Sequence, residues 1–309
     1  MSSNNEKGHQ YDTGHIIQSL MVNLLITVCK AFAAFMTKSG SMLAETIHSF
    51  ADCSNQALLY MGVKQAQRPP DAKHPLGYGR AVYFWSFMVA MLLFTIGGMF
   101  SIYEGLHKFE HPEPVQHILW GAGVLIFSIL LEGYAMYSNI IEMNKRRGRM
   151  GFFRYLRETK DSDLVVIFGE NTAAVIGLVF ALIALMTAYY TGDGRYDAVG
   201  SLAIGVVLIA VAIFLAVEVK SLLIGESADP NVSATAAQIA IDHPNIQKML
   251  QCITVQQGPG EVMACVKIQC TPDLNAVQVS QLINEFEAQL RAKCPEVRWL
   301  FVEPDIVEA

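Results

Sequence analysis

Charge is what this sequence has least of. Asp, Glu, Lys and Arg make up 16% of its 309 residues, against about a quarter in an ordinary soluble domain. Such depletion points to lipid as the solvent for much of the molecule. A basic excess is missing too. The formal net charge is -6, which argues against nucleic acid as a partner. CxxC pairs are absent. The six cysteines are Cys29, Cys53, Cys252, Cys265, Cys270 and Cys294, and their spacing fits neither a disulfide framework nor a zinc ribbon. The polar tail over residues 1–12 carries no signal-peptide pattern. Neither an internal repeat nor a low-complexity segment is present, which excludes solenoids and arrays.

What is there is apolar. Hydrophobic residues make up 52% of the chain, in long runs up to about residue 224. A spanning helix needs roughly 20 mostly apolar residues. Six segments qualify as candidates: 16–35, 42–63, 82–102, 118–141, 164–189 and 199–223. The second is the least typical, because Glu45, His48, Asp52, Asn55 and Gln56 give it a polar face. That face must turn toward the protein interior or a water-filled cavity.

Basic residues set the orientation. Lys64, Arg68, Lys73 and Arg80 fall between the second and third segments. Lys145, Arg146, Arg147, Arg149, Arg154, Arg157 and Lys160 fall between the fourth and fifth. The other connections hold only Lys38, Lys108 and Arg195. The positive-inside rule then puts both basic loops, and with six spans both termini, in the cytoplasm. The short loops and the lack of a targeting segment suit a bacterial inner membrane.

From about Ser227 the pattern becomes that of a small soluble domain. Asp229 followed by Pro230 reads as a helix start, and His243-Pro244 as its end. Strands are expected at 249–256 and 261–270, with Gly258-Pro259-Gly260 as the turn. Val279, Leu282, Ile283, Phe286 and Leu290 recur at helical spacing, and a last strand is expected at 297–302. The order α-β-β-α-β suits a small open sheet with helices on one face. The expected division is therefore a tail (1–12), a six-helix membrane domain (13–225) and a cytoplasmic domain (226–309).

The chemistry gathers in the second segment. Glu45, His48 and Asp52 follow at steps of three and four, which places them on one helical face. Ionisable groups in a span are costly and need a compensating partner. A divalent cation is such a partner, and His with carboxylates suits zinc. The fifth segment adds Glu170 and Asn171 inside an apolar run, and the fourth adds Glu132. Transporters hold their ions where such groups meet near mid-membrane. Glu132 reads equally well as a helix-helix hydrogen-bonding group. Lys30 is assigned a structural role, by snorkelling or an internal ion pair, and Cys53 a packing role.

These residues carry a resemblance. The stretch SGSMLAETIHSFAD over 39–52 resembles the second-helix signature of the cation diffusion facilitator family, and HPLGYGR over 74–80 is similar to its short HPYG-type loop. Asp197 before Gly200-Ser201 resembles the start of its sixth helix. The resemblance covers nearly the whole chain after about residue 12. It implies a homodimer that exchanges a divalent metal, foremost Zn2+, for protons by alternating access. It also implies a tetrahedral site between the second and fifth helices and a ferredoxin- or metallochaperone-like cytoplasmic domain for dimerisation. His48 and Asp52 match the second-helix ligands. In the fifth helix Ile167 and Asn171 fall where the family has its ligand pair, so the usual pair is missing. Glu170 before Asn171, and the Leu131-Glu132-Gly133 stretch, are similar to the branch containing the mammalian mitochondrial zinc exporter. Glu170 is expected to replace the missing ligand, with Asn171 a weak ligand or a supporting group. Adjacent residues lie about 100° apart on a helix, so at most one is well aimed. Glu45 and Glu132 are candidates for proton transfer, metal entry or support of the ligands.

The family's cytoplasmic domain often binds extra metal, but here it has His243 as its only histidine, and no zinc cluster of the usual type is expected. Cys252 and Cys265 are read as core residues, with a cross-strand thiolate pair as the alternative. No organic cofactor and no enzymatic activity are expected. An intramembrane metalloenzyme would need a separate general base, for which Glu132 is the candidate. The other readings are transport of Mn2+, Fe2+ or Co2+ and a non-transporting membrane scaffold or sensor.

Overall fold

The computed structural model describes residues 13–112, 114–148, 150–158 and 162–306. The expected polar tail, Arg149 and Lys160 lie outside the described residues. The chain divides into two compact units. One holds the residues up to 63 together with 84–220, and the other holds 64–83 together with the residues from 221 onward.

The first unit is helical. Its elements are α1 (Thr13–Thr37), α2 (Gly40–Ala66), α3 (Ala81–Leu92), a π-helical stretch (Leu93–Met99), α4 (Phe100–Glu110), α5 (Ile118–Arg146), the short α6 (Phe152–Glu158), α7 (Ser162–Thr191) and α8 (Arg195–Ile224). Four stretches among the described residues are long and apolar enough to cross a membrane: Ala81–Glu110, Ile118–Arg146, Ile167–Thr191 and Arg195–Ile224. The first joins α3 and α4 through the π-helical stretch. Six spans were expected, and the shortfall has two causes. In α1 the apolar helix among the described residues is the shorter Asn23–Thr37. In α2 the length suffices, since its 27 residues reach about 40 Å at 1.5 Å each, but the polar face dilutes its hydropathy.

Large apolar side chains point outward along these helices. Leu25, Phe32 and Phe35 on α1, Trp120, Phe127 and Leu130 on α5, and Val206, Ile213 and Val217 on α8 are all exposed. A soluble surface does not carry such an area, whereas hydrocarbon solvates it. The protein is an integral membrane protein.

Between helices the hydrophobic effect gives little, so close packing does the work. Glycines allow it. A Cβ at Gly105 of α4 would collide with Leu202 of α8, and one at Gly205 of α8 with Ile102 of α4. Gly98, in the π-helical stretch, lies against Ile209 of α8 in the same way. Gly121 of α5 packs on Thr37 of α1 and Leu185 of α7.

The second unit contains α9 (Pro230–Asp242), β1 (Ile246–Gly258), β2 (Glu261–Cys270), α10 (Ala276–Lys293) and β3 (Val297–Pro304). This is the α-β-β-α-β order read from the sequence. The sheet order is β1-β2-β3, antiparallel and then parallel. Asp229 caps α9 through a hydrogen bond from the Asn231 N–H at 2.8 Å, with Pro230 at the first turn. Asn275 and Gln278 form a reciprocal capping box on α10. Val262, Ala264, Val266 and Ile268 of β2 bury one face of the sheet against Ile239, Leu282, Phe286 and Leu290. The register pairs Ile253 with Cys265, and Cys252 with Val266. Side chains alternate along a strand, so Cys252 and Cys265 lie on opposite faces. That placement removes the cross-strand thiolate pair.

Residues 64–83 have internal order of their own. Asp71 accepts hydrogen bonds from the N–H groups of Lys73 and His74 and from the Tyr78 hydroxyl, the last at 2.6 Å. The Tyr78 hydroxyl, ahead of the backbone donors, holds the Asp71 carboxyl below the usual carboxylate range. Gly79 passes so close to the Gly258 backbone that a Cβ on either would collide with the other.

Candidate metal centre

The site begins at the start of α2. Lys38 takes a left-handed backbone, with φ of 54°, and turns the chain sharply from α1 into α2. The first N–H groups of any helix lack partners within it. Here Asp197, buried on α8, supplies them. Its carboxylate accepts from the Gly40 N–H at 2.5 Å, from the Ser39 hydroxyl at 2.6 Å, and from the Ser41 hydroxyl and N–H. Gly200, one turn further along α8, lies against Ala184 of α7 and Ser41 of α2. The helices α2, α7 and α8 are therefore locked together at this end.

From that anchor the polar stripe runs down α2. Glu45, His48 and Asn55 are fully buried, and Asp52 is nearly so. The Glu45 carboxylate meets Lys30 of α1, with Oε2 at 3.5 Å from Nζ. The same Nζ donates to the Ser49 hydroxyl at 2.7 Å. Of the two structural roles read for Lys30, the internal ion pair is the one observed. The other oxygen of Glu45 faces Gly177 of α7, where a Cβ would collide with it. One turn on, His48 Nδ1 stands 3.6 Å from Asp52 Oδ1, too far for a hydrogen bond. Among the described residues, neither ring nitrogen of His48, nor Asp52 Oδ1, nor Glu45 Oε1 has a hydrogen-bond partner. Buried polar atoms almost always have one, so lone pairs and N–H groups are concentrated here with their binding capacity unspent.

The helix α7 closes the other side. Asn55 Nδ2 donates to Glu170 Oε1 at 2.7 Å, and both residues are buried. Asn171 is half-buried, and Ile167 is 40% exposed, as an apolar residue at the lipid boundary is. Glu132 of α5 is half-buried and within Coulombic reach of Lys30, His48 and Asp52. Glu170 feels the charges of Asp52 and Glu132. Four helices thus direct ionisable groups at one region of the bundle.

The structure sets Asp52 near both His48 and Glu170, while Glu45 is paired with Lys30. Among the described residues, no three His, Cys, Asp or Glu side chains converge tightly enough to hold a metal ion in this conformation. Two members of the constellation are not identified as such by sequence reasoning. Asn55 continues the stripe three residues after Asp52, and that spacing was the available signal. The capping by Asp197 had no local signal, because the partner helix starts 157 residues earlier in the chain.

Comparison with known proteins places these features in context. The model of the cation efflux transmembrane domain matches residues 16–224. The mitochondrial proton-coupled zinc antiporter SLC30A9 of Xenopus laevis is 32% identical over 249 residues, covering 80% of this chain and 44% of that protein. Its Homo sapiens counterpart is 30% identical over the same coverage. Metal tolerance protein C4 of Arabidopsis thaliana is 30% identical over 257 residues, covering 82% of this chain and 56% of its own. The chain spans about half the length of these relatives.

Proposed function

The chain belongs to the cation efflux family, and from that premise we propose that it is a secondary transporter that exchanges Zn2+ for protons across its membrane by alternating access. The observation that carries this reading is the buried stripe on α2. Both ring nitrogens of His48 and the Oδ1 of Asp52 sit inside an apolar bundle without a hydrogen-bond partner among the described residues, a costly arrangement that a passing cation offsets. The full set of ligands proposed is His48 and Asp52 from α2 with Glu170 from α7, one nitrogen and two carboxylates that suit tetrahedral zinc. Asn171 supports them as a weak oxygen ligand or a hydrogen-bonding neighbour.

In the conformation described, Asn55 holds Glu170. The amide occupies one carboxylate oxygen, Oε1; binding turns the other oxygen toward the metal, and a small rotation of α7 against α2 would do this. Metal displaces protons from carboxylate and imidazole. A site that loads metal on one side and protons on the other is an antiporter. The relatives described as proton-coupled zinc antiporters support the same reading.

In this proposal six helices within 13–225 form the membrane domain, with α1 and α2 crossing beside the four more apolar spans. Residues 226–309 form a cytoplasmic domain that pairs with that of a second copy. The basic loops after α2 and α5 face the cytoplasm.

Zinc flux into proteoliposomes under an imposed pH gradient tests the function. Flux should follow the gradient in the parent and fall to background in His48→Ala and Asp52→Ala. Flux indifferent to the gradient removes the coupling, and flux that survives both substitutions removes the site. Zinc affinity should drop in Glu170→Gln and change less in Asn171→Ala.

A second reading rests on one observation. The α7 side of the cluster offers only oxygen donors, Glu170 and Asn171, which Mn2+ and Fe2+ accept more readily than zinc does. Competition of each metal against zinc flux decides between them.

A further inference from the structure

A second pair of metal-ligating side chains lies outside the α2–α7 cluster. His107 and His111 stand four residues apart at the C-terminal end of α4, and both are exposed. Residues at this spacing share a helical face. His111 caps the helix, its N–H donating to the His107 carbonyl at 3.0 Å. The two ring centroids are 5.3 Å apart, with the planes tilted by 36°.

That separation can be compared with what a metal demands. A zinc–imidazole bond is about 2.0–2.1 Å long, which puts the ring centroid about 3.2 Å from the ion, so two rings at a tetrahedral angle have centroids about 5.2 Å apart. The observed centroid spacing is of that size, so side-chain rotation is what bidentate binding asks for. The ring of His107 is also held in place. It stacks on Tyr103 one turn earlier, with centroids 6.2 Å apart and planes within 7°.

The two basic side chains nearby are each engaged by another group. Lys108, between the two histidines in sequence, is turned to the Lys38 carbonyl and lies 3.9 Å from Glu104. Arg195 is placed over the ring of Phe109. Attraction of the helix C-terminus for protonated histidine accounts for imidazoles at this end. It does not account for two of them meeting at this ring separation, with one ring stacked on a tyrosine.

We propose that His107 and His111 form a two-imidazole binding site for a borderline divalent cation such as Zn2+, with water completing the coordination. The site lies at the end of the span that begins at the first basic loop, and so on the opposite membrane face. It is a place for the metal to dwell on entering or leaving the bundle. The assignment of faces rests on the orientation proposed above, but the binding site does not.

Equilibrium dialysis of the full chain in detergent micelles against Zn2+ tests it, with the parent, His107→Gln and His111→Gln compared. Each variant is also made on a His48→Ala/Asp52→Ala background. One equivalent of zinc per chain should be lost in each Gln variant, on both backgrounds. With Cu2+ as a paramagnetic probe, the two-nitrogen signal of the parent should fall to one nitrogen. Unchanged zinc stoichiometry and an unchanged copper spectrum in both variants overturn the proposal. An unaltered unfolding temperature shows that folding is not the cause of any loss, as expected for two exposed side chains. If the background substitutions alone leave zinc binding unchanged, the central-site reading fails while the His107–His111 site stands.

Discussion

The carboxylate of Asp197 closes the first turn of α2 by accepting the Gly40 N–H at 2.5 Å from a helix 157 residues away. An ordinary helix cap comes from the chain just before the helix. Here the cap comes from α8, so the axial position of α2, and with it the heights of His48 and Asp52, is tied to another span. The negative charge also complements the positive end of the α2 dipole.

This relationship gives the first prediction. Asp197→Asn keeps the shape but loses the charge, and should cost about 1–2 kcal/mol. Asp197→Ala leaves several buried donors unpaired and should cost about 2–3 kcal/mol. Thermal unfolding in detergent reads both. Zinc flux per folded molecule should fall as well, because α2 is free to shift. An unfolding temperature unmoved by Asp197→Ala would show that the contact does not cap.

The buried pair Lys30–Glu45 gives the second. With both partners fully buried and 3.5 Å apart, removal of one leaves an uncompensated charge in the bundle. Lys30→Met or Glu45→Gln alone should destabilise by about 3–5 kcal/mol, and the double variant should recover most of it. Stability measured for all four species closes the cycle. Strictly additive losses would mean that the two charges do not depend on each other. If Glu45 is kept out of the metal's coordination by Lys30, the double variant should also retain zinc flux.

How much of this was legible in the sequence differs by element. The stripe of Glu45, His48 and Asp52 could be read from spacing alone, because three- and four-residue steps fix a helical face whatever surrounds it. The C-terminal unit was legible for a similar reason. Asp229-Pro230 and Gly258-Pro259-Gly260 are local signals, and α9 and the β1–β2 turn stand where they put them. Partners across the bundle were not legible. Nothing near Asn55 announces Glu170, and nothing near Lys30 says that it turns inward rather than toward the headgroups. Strand register was not legible either, and it is what sets Cys252 and Cys265 on opposite faces and removes the alternative of a thiolate pair, since a one-residue slip moves a side chain to the other face.

Gly177 supplies the third prediction. A Cβ there meets Glu45 Oε1, a buried carboxylate oxygen whose partner oxygen is fixed by Lys30. Neither neighbour can yield freely, so α7 must move away from α2. Gly177→Ala should cost about 1–3 kcal/mol through overpacking. It should also weaken zinc binding more than that cost in stability suggests, because His48, Asp52 and Glu170 are drawn apart. Pairing Gly177→Ala with Glu45→Ala on a Lys30→Met background, which leaves no unpaired buried charge, should restore binding if the clash is the cause. Zinc titration of Gly177→Ala, with and without these changes, checks it.

The last prediction concerns Asn55, whose amide donates to Glu170 at 2.7 Å. Groups that orient a metal ligand without touching the metal typically change affinity by about 10–100-fold when removed. If Glu170 is a ligand, Asn55 holds one of its oxygens and aims the other. Asn55→Ala removes that hold. The zinc concentration for half-maximal flux should then rise by about tenfold or more, while Asn55→Asp, which sets a second carboxylate against Glu170, should be worse. The half-saturating concentration is the discriminating readout. A purely structural asparagine would lower the amount of folded protein and leave the half-saturating concentration alone. A positioning asparagine moves the half-saturating concentration while the folded fraction stays constant. Flux measured over a range of zinc concentrations, normalised to folded protein, separates the two, and an unchanged half-saturation would detach Asn55 from the metal site.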